Sequence, residues 1–187
     1  MKGNKMKVTY NAPVVLTFTA LCTMVLTVSQ VMHGDLIRSF FICYPHMDLA
    51  DPYTYLRIFS HAAGHNDWTH LIGNFSFILL IGPILEEKYG SKRLLLMIVI
   101  AAGITGLLNT FFFPSALLGA SGIVFMFIIL VSFTNFKAGE IPLTFILVIL
   151  LFLTKEIVTA FQQDSISQFA HIMGGICGSV FGFRNAK

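Results

Sequence analysis

Long apolar runs separated by short polar segments fill the chain between residues 13 and 183. The apolar positions are continuous rather than alternating with polar ones, and a membrane-spanning helix needs roughly 20 such residues. Because lipid offers no hydrogen-bond partner to backbone N–H and C=O groups, a spanning segment has to be a helix or a strand of a closed barrel. The continuous pattern favours helices, so the sequence predicts an all-α membrane protein.

The pattern predicts six spans, of which the fourth is short. They cover residues 13–32, 68–85, 94–113, 121–136, 141–161 and 167–183. Only the connection over residues 34–67 is long, and little of the chain remains for a soluble domain. We therefore predict a single bundle of six transmembrane helices over residues 1–187, with residues 1–12 as a short cytoplasmic tail.

Composition and charge agree with this prediction. Hydrophobic residues make up 56% of the chain and charged residues 11%, and the mean hydropathy is +0.79, whereas about a quarter of the residues in a soluble domain are charged. Basic residues favour the cytoplasmic ends of spans. With an internal N-terminus, the inner segments hold nine of them, namely Lys2, Lys5, Lys7, Lys88, Lys92, Arg93, Lys137, Arg184 and Lys187, and the outer segments hold Arg38, Arg57 and Lys155. This bias predicts both termini on the cytoplasmic side, and it assigns the net charge of +3 to topology rather than to nucleic-acid binding. The short chain, with a lysine-rich start and no expected targeting peptide, favours a prokaryotic inner membrane.

The first run also has features of a cleaved signal peptide. Basic residues precede its apolar stretch, and small polar residues follow it. The run is long for a signal peptide and no clear A-x-A cleavage site follows it, so we expect it to be retained as a span.

Several polar side chains fall inside the predicted spans, where they are costly and are therefore candidates for function. They are His70, Asn74, Asn109, Ser121 and His171. The second, fourth and sixth spans run in the same direction, and His70, Ser121 and His171 each lie within about one turn of a span's start. We therefore expect these three side chains in one layer, just below the outer surface.

Each of these residues also has a purely structural explanation. His70 and Asn74 project from one helix face and could hold helices together, as could His171. Ser121 opens a helix after small residues, where serine is a common cap. Their co-occurrence at one depth favours a functional site over these separate explanations.

Three motifs on alternate spans together resemble the rhomboid family of intramembrane serine proteases. They are His70-x-x-x-Asn74, Gly119-x-Ser121-Gly122 and Ala170-His171-x-x-Gly174. Further matching positions are His61 and His65 before His70, Arg57 in the first loop, Glu86 at the end of the second span, and the small-residue face of Gly174 and Gly178. The resemblance implies a six-helix fold that cleaves the transmembrane segments of other proteins.

The resemblance also implies a role for each motif residue. Ser121 would be the nucleophile and His171 its general base, since serine is a weak nucleophile until a base takes its proton. His70 and Asn74 would donate to the oxyanion, helped by backbone amides around Ala120 and Ser121. A helix N-terminus suits that developing negative charge.

The sequence predicts a Ser–His dyad without a supporting carboxylate. The sixth span holds no acid near His171, and Asp164 lies in the preceding loop. Phe125 follows Ser121 by four residues on the same helix face and could stack on the imidazole, although the family usually has tyrosine there. The small residues that would let these helices approach closely are Gly122, Gly174 and Gly178.

The first loop is expected to have a structural role. His61 and His65 would tie it to the second span. Leu56 precedes Arg57 where the family often has tryptophan, so we expect the anchoring of this loop to differ.

The partners implied are transmembrane protein substrates and membrane lipids, with no cofactor or metal, and the sequence leaves the oligomeric state open. By family analogy, the fifth span would act as a lateral gate. The main alternative is an inactive rhomboid-like protein that binds membrane clients. A metalloprotease using His61 and His65 would need a glutamate where Ala62 stands, and a transporter using Asn109 would need paired broken helices, which the sequence does not suggest.

Overall fold

A computed structural model describes residues 8–48, 50–134, 141, 143–161 and 168–185. Within residues 143–161, the side chains of 152, 153 and 155–161 are not described. Predictions that rest on Lys2, Lys5, Lys7, Lys137, Lys155, Asp164 or Lys187 therefore lie outside the described residues.

The all-α prediction is confirmed over this part of the chain. The elements are α1 (Pro13–Val31), α2 (Asp35–Phe40), α3 (Pro52–Ser60), a 3₁₀ turn (His61–Ala63), α4 (Trp68–Tyr89), α5 (Ser91–Phe112), α6 (Ser121–Val131), α7 (Leu143–Phe161) and α8 (Gln168–Asn185). Each predicted span coincides with one of the helices α1 and α4 to α8. The connection expected over residues 34–67 contains α2, α3 and the 3₁₀ turn.

Three described helices, α1, α4 and α5, are long and apolar enough to cross a membrane by length and composition. The helix α4 runs through Pro83 and ends at Tyr89, where Gly90 adopts φ +79°. The helix α6 has 11 residues and ends at Val131, earlier than predicted. The count of six spans stays a prediction.

The helix α6 lies at the centre of the bundle. It packs against α4, α5 and α8, and its apolar residues are buried apart from the partly exposed Ile128 and Val131, with Met126 and Phe127 fully inaccessible. A helix that is apolar around its whole circumference is one that its neighbours enclose. Its environment is therefore mostly protein.

Glycines bring α8 into backbone contact with α6. A Cβ atom added at Gly174 would lie 2.0 Å from the carbonyl oxygen of Gly122, and one added at Gly178 would lie 2.6 Å from the carbonyl oxygen of Met126. No side chain fits between the two backbones at these points. The close approach predicted from the glycine spacing is confirmed.

The side chain of Glu86 joins α4 to the start of α1. Its two carboxylate oxygens accept hydrogen bonds from the backbone N–H groups of Val14 and Val15, at 2.9 and 3.1 Å. The first N–H groups of a helix have no partner within the helix, and a carboxylate there also favours the helix dipole. Glu86 thus caps α1 from another helix.

The first loop is fastened to the bundle through Arg57. Its guanidinium donates to the carbonyl oxygen of Ser39 at 2.9 Å and to the carboxylate of Asp51 at 3.0 Å. The next residue, Ile58, packs its backbone so closely on α5 that a Cβ atom at Gly106 would lie 2.1 Å from its carbonyl oxygen. The Arg57 contacts hold α3 to α2, and the Ile58 contact fixes α3 against α5, without the tryptophan expected before Arg57.

Candidate active site

A cavity of about 1010 Å³ opens where α4, α6 and α8 begin, and we call it the site cavity. The side chains of His70, Asn74, Ser121 and His171 all line it. Three helices that are distant in sequence thus place their predicted site residues around one space. The prediction that these residues share one layer agrees with this arrangement.

The glycine contact between α6 and α8 lies directly beside Ser121 and His171. The carbonyl oxygen of Ala170 would be 3.1 Å from a Cβ atom at Gly122, and Gly122 in turn contacts Gly174. Each of the two site residues is therefore the immediate chain neighbour of a residue in this contact. The arrangement holds a hydroxyl and an imidazole on facing helix starts at the edge of one cavity.

The aromatic ring of Phe125 packs on the imidazole of His171. Their ring centroids are 4.3 Å apart and their planes are inclined by 34°. Both residues are buried. The expected contact between Phe125 and the imidazole is present. Because phenylalanine has no hydroxyl, this contact restricts the orientation of the imidazole through packing alone.

Hydrogen-bond donors converge on the site cavity from α4 and from the start of α6. Asn74 is buried, and its Nδ2 atom has no partner among the described residues. Ala120 is the N-cap of α6, so the amides that follow it have no partner within the helix. A buried amide that lacks a partner is destabilising by about 1–3 kcal/mol, so an oxygen atom that accepted a hydrogen bond from such a donor would be stabilised.

Gly119 fits against the His70 ring because it has no side chain. It adopts φ +114°, and a Cβ atom there would lie 2.6 Å from two ring atoms of His70. Both the backbone conformation and the lack of space require glycine. The glycine of the Gly119-x-Ser121-Gly122 motif thus fixes how α6 begins relative to α4.

Backbone hydrogen bonds to the first loop hold the segment before α6 in place. Cys43 and Leu117 exchange two of them, at 3.0 and 2.8 Å, and the N–H of Gly119 donates to the carbonyl oxygen of His61 at 2.9 Å. The start of α6 is therefore positioned by residues some 60 to 75 positions earlier. Sequence reasoning missed Cys43 and Leu117, because backbone pairing between irregular segments leaves no side-chain signal.

The two first-loop histidines, His61 and His65, were both expected to contact the second span, but they contact different helices. His65 contacts α4, with its ring 5.0 Å from that of His70 and 5.8 Å from that of Phe75. His61 instead bonds through Nε2 to the carbonyl oxygen of Ala102 on α5, at 3.1 Å. His61 thus ties the first loop to α5, whereas His65 packs against the second span.

Burial keeps both of these histidines neutral. It lowers the pKa of His61 and of His65 to about 4, because the low-polarity interior disfavours the imidazolium. A charge on His70 would lower the pKa of His65 further, while the Ala63 backbone and Asp67 act in the opposite direction. A neutral His65 can lie against His70 without repulsion.

Two further polar residues near the site have structural roles. Asp67 caps α4, since its carboxylate accepts a hydrogen bond from the backbone N–H of His70 at 2.8 Å. Aspartate directly before an apolar run is a recognisable capping signal that the sequence reasoning did not use. Asn109 donates to the carbonyl oxygen of Ser115 at 2.9 Å and is not among the residues lining the site cavity.

Comparison with known proteins identifies the family. A family model described as the Rhomboid domain matches residues 52–187. The chain belongs to the rhomboid family. Among its rhomboid relatives is a protein named Rhomboid protease GlpG from Haemophilus influenzae, 27% identical over 177 residues that cover 93% of this chain and 91% of that protein.

Other rhomboid relatives are longer than this chain. A Rhomboid protease GlpG from Serratia proteamaculans is 25% identical over 94% of this chain and 63% of its own length. A Putative rhomboid protease YdcA from Bacillus subtilis is 31% identical over 61% of this chain and 58% of its own length. The chain thus spans less than two thirds of these two relatives.

Family membership and the apolar helices together make this rhomboid a multi-pass membrane protein. The relatives named proteases support an intramembrane protease and, within the hydrolases, the serine protease class. The same findings do not favour an inactive client-binding protein.

Proposed function

We propose that this rhomboid cleaves peptide bonds in transmembrane segments through a dyad of Ser121 and His171. The observation that carries the proposal is the common cavity edge, where the starts of α6 and α8 meet at the Gly122–Gly174 contact. Ser121 would attack the peptide carbonyl carbon while His171 takes its proton. His171 would then give the proton to the leaving amine as the peptide C–N bond breaks, and a water molecule deprotonated by His171 would hydrolyse the acyl-enzyme and release Ser121.

The dyad would work without a carboxylate to orient the base. Asp67 is the one acidic residue among the described residues that line the site cavity, and its carboxylate is engaged by the N–H of His70 on α4. Stacking on Phe125 would hold the His171 ring instead. The imidazolium formed during attack would face the ring quadrupole of Phe125, which favours a cation.

The oxyanion would be stabilised by His70, Asn74 and the backbone amides that follow Ala120. Preorganised donors aimed at a developing charge are commonly the largest single catalytic contribution. Asn74 fits this role because its Nδ2 has no other partner among the described residues. It would therefore bond more strongly in the transition state than in the ground state.

We expect Asn74→Ala to lower kcat by roughly 100- to 1,000-fold with little change in KM, because an oxyanion donor acts in the transition state. The measurement is steady-state cleavage of one transmembrane substrate in detergent. Ser76→Ala is the matched control, since Ser76 is exposed on the same helix and its hydroxyl bonds only to the carbonyl oxygen of Ile72 among the described residues. A kcat for Asn74→Ala within a few-fold of the parent would remove Asn74 from the oxyanion hole.

The shape of the site cavity supports a transmembrane substrate. Besides the polar residues it is lined by Phe77 on α4, by Val148 and Leu151 on α7, and by Ile128 on α6. An apolar side between α4 and α7 would admit a lipid-embedded segment laterally, with α7 as the moving element. Small or helix-destabilising residues near the outer end of a substrate span would expose its peptide bonds.

The proposed placement is a single domain of six spans in a prokaryotic inner membrane, with both termini inside and cleavage near the outer face. Lys88 supports this polarity, because it bonds to the carbonyl oxygens of Phe133 and Thr134 just after α6, at the end opposite Ser121. Arg38 and Arg57 lie at the other end, in the first loop. The described basic residues thus divide between the two ends.

The proposal is tested by reconstituting the purified chain in liposomes with a single-span substrate that carries small residues near the outer end of its span. We expect cleavage within that span, mapped by mass spectrometry of both fragments. An inactive client-binding protein would retain the substrate uncut. The protein could bind this substrate without cleaving it and still be labelled at Ser121 by a fluorophosphonate. That result would refute the proposed substrate class but not the dyad.

A further inference from the structure

A second cavity of about 340 Å³ lies beside the end of α1, and we call it the α1 cavity. It is lined by residues from α1, α2 and the first loop, including Leu26, Ser29, Gln30, His33, Arg38 and Asn66. Asn66 lines the site cavity as well, so the two cavities share one wall. None of the catalytic residues proposed above belongs to the α1 cavity.

Two features predict that the α1 cavity lies where lipid tails give way to head groups. Trp68, the first residue of α4, donates its indole N–H to the side-chain oxygen of Gln30 at 3.1 Å, and tryptophan is enriched at membrane interfaces. The last turns of α1 carry exposed apolar side chains, Val28 and Val31, and the polar His33 follows them. A phospholipid packed along α1 would therefore place its head group beside this cavity.

The polar lining of the α1 cavity includes hydrogen-bond donors and one positively charged side chain. The indole N–H can only donate, so the oxygen of Gln30 is its partner and the amide N–H groups of Gln30 remain for a ligand. Arg38 adds a guanidinium whose ion pair with Asp35, at 3.5 Å, is largely exposed and contributes little. None of the described residues that line the cavity is acidic.

We propose that the α1 cavity binds the phosphate group of an anionic phospholipid. Arg38 and Gln30 would donate to the phosphate oxygens, since a guanidinium forms strong paired hydrogen bonds with phosphate. The apolar side of the cavity, formed by Leu26, Ile37 and Ile42, would contact the glycerol and the first methylene groups. Free phosphate would leave this apolar side uncovered, which is why the lipid is the expected ligand.

A lipid bound here would touch the segment that begins α4. Asn66 contacts both cavities, and the next residue, Asp67, caps the helix that carries His70 and Asn74. The bound lipid would therefore stabilise the entry to α4. The binding itself does not depend on proteolysis.

Binding is tested with the full chain carrying Ser121→Ala, so that catalysis plays no part. Native mass spectrometry in detergent would titrate short-chain phosphatidylglycerol, short-chain phosphatidylcholine and inorganic phosphate separately. We expect phosphatidylglycerol to bind at least about tenfold more tightly than the other two, and Arg38→Gln to weaken it by about tenfold or more. Gln30→Glu keeps an acceptor for Trp68 but adds a negative charge, so we expect a loss at least as large.

Arg93→Gln is the matched control, because Arg93 is exposed at the start of α5, at the opposite end of the bundle. The affinity of the Arg93→Gln variant for phosphatidylglycerol should equal that of the parent. Without lipid, all variants should unfold at the parent's melting temperature. An equal loss in Arg93→Gln would overturn the proposal in favour of general charge attraction. Equal affinity for phosphatidylcholine or inorganic phosphate, or unchanged binding in Arg38→Gln and Gln30→Glu, would overturn it too.

Discussion

Replacing Ser121 with alanine is expected to abolish covalent labelling by a fluorophosphonate and to lower cleavage by roughly 10⁴-fold or more. The reagent reacts with a serine hydroxyl that a neighbouring base activates, and Ser121 lies on the same cavity as His171. His171→Ala should cause a loss of similar size, because nucleophile and base act as a unit. In-gel fluorescence and a cleavage assay on the same preparations measure both effects.

Thr69→Val is the matched control for this experiment. Thr69 carries another hydroxyl that lines the site cavity, and valine has nearly the same shape. Its labelling and cleavage should equal those of the parent. Labelling that persists in Ser121→Ala, or that disappears in Thr69→Val, would move the nucleophile away from Ser121.

Gly174→Ala is expected to lower the free energy of unfolding by about 3 kcal/mol, a value typical of a strongly overpacked contact. The added Cβ atom would lie 2.0 Å from the carbonyl oxygen of Gly122 and 2.8 Å from its carbonyl carbon. Both are backbone atoms that no rotamer change can move, so α6 and α8 must separate. Because that separation also displaces His171 from Ser121, cleavage should fall with stability. Thermal unfolding in detergent and the cleavage assay would measure the two effects.

The same substitution at Gly73 provides the control. Gly73 lies within α4, and a Cβ atom there would meet no atom within 4 Å. Since alanine is favoured over glycine in a helix by up to about 1 kcal/mol, Gly73→Ala should unfold at the parent's temperature or slightly above it. A Gly174→Ala protein that is as stable and active as its parent would show that the two backbones are not in contact.

The positions of the site residues were predictable because two local patterns carry them. Apolar runs located α1 and α4 to α8 to within a few residues and thereby placed His70, Ser121 and His171 near helix starts, while the motifs indicated which polar residues to group together. Membrane direction alternates along the chain, so three alternate helices begin on one face. The four-residue spacing placed Phe125 on the same face of α6 as Ser121, and from that face its ring contacts His171 on α8.

Residue patterns along the chain were thus enough to predict the helices, their approximate ends and the residues expected in one layer. The contacts between distant groups became apparent only in the folded protein, such as those of Glu86 with the start of α1, His61 with α5, and Cys43 with Leu117. Hydropathy and residue spacing are properties of one segment, whereas these contacts depend on how segments pack and on irregular backbone that carries no pattern. The α1 cavity could not be predicted from the sequence for the same reason, because it forms where the end of α1, α2 and Asn66 come together.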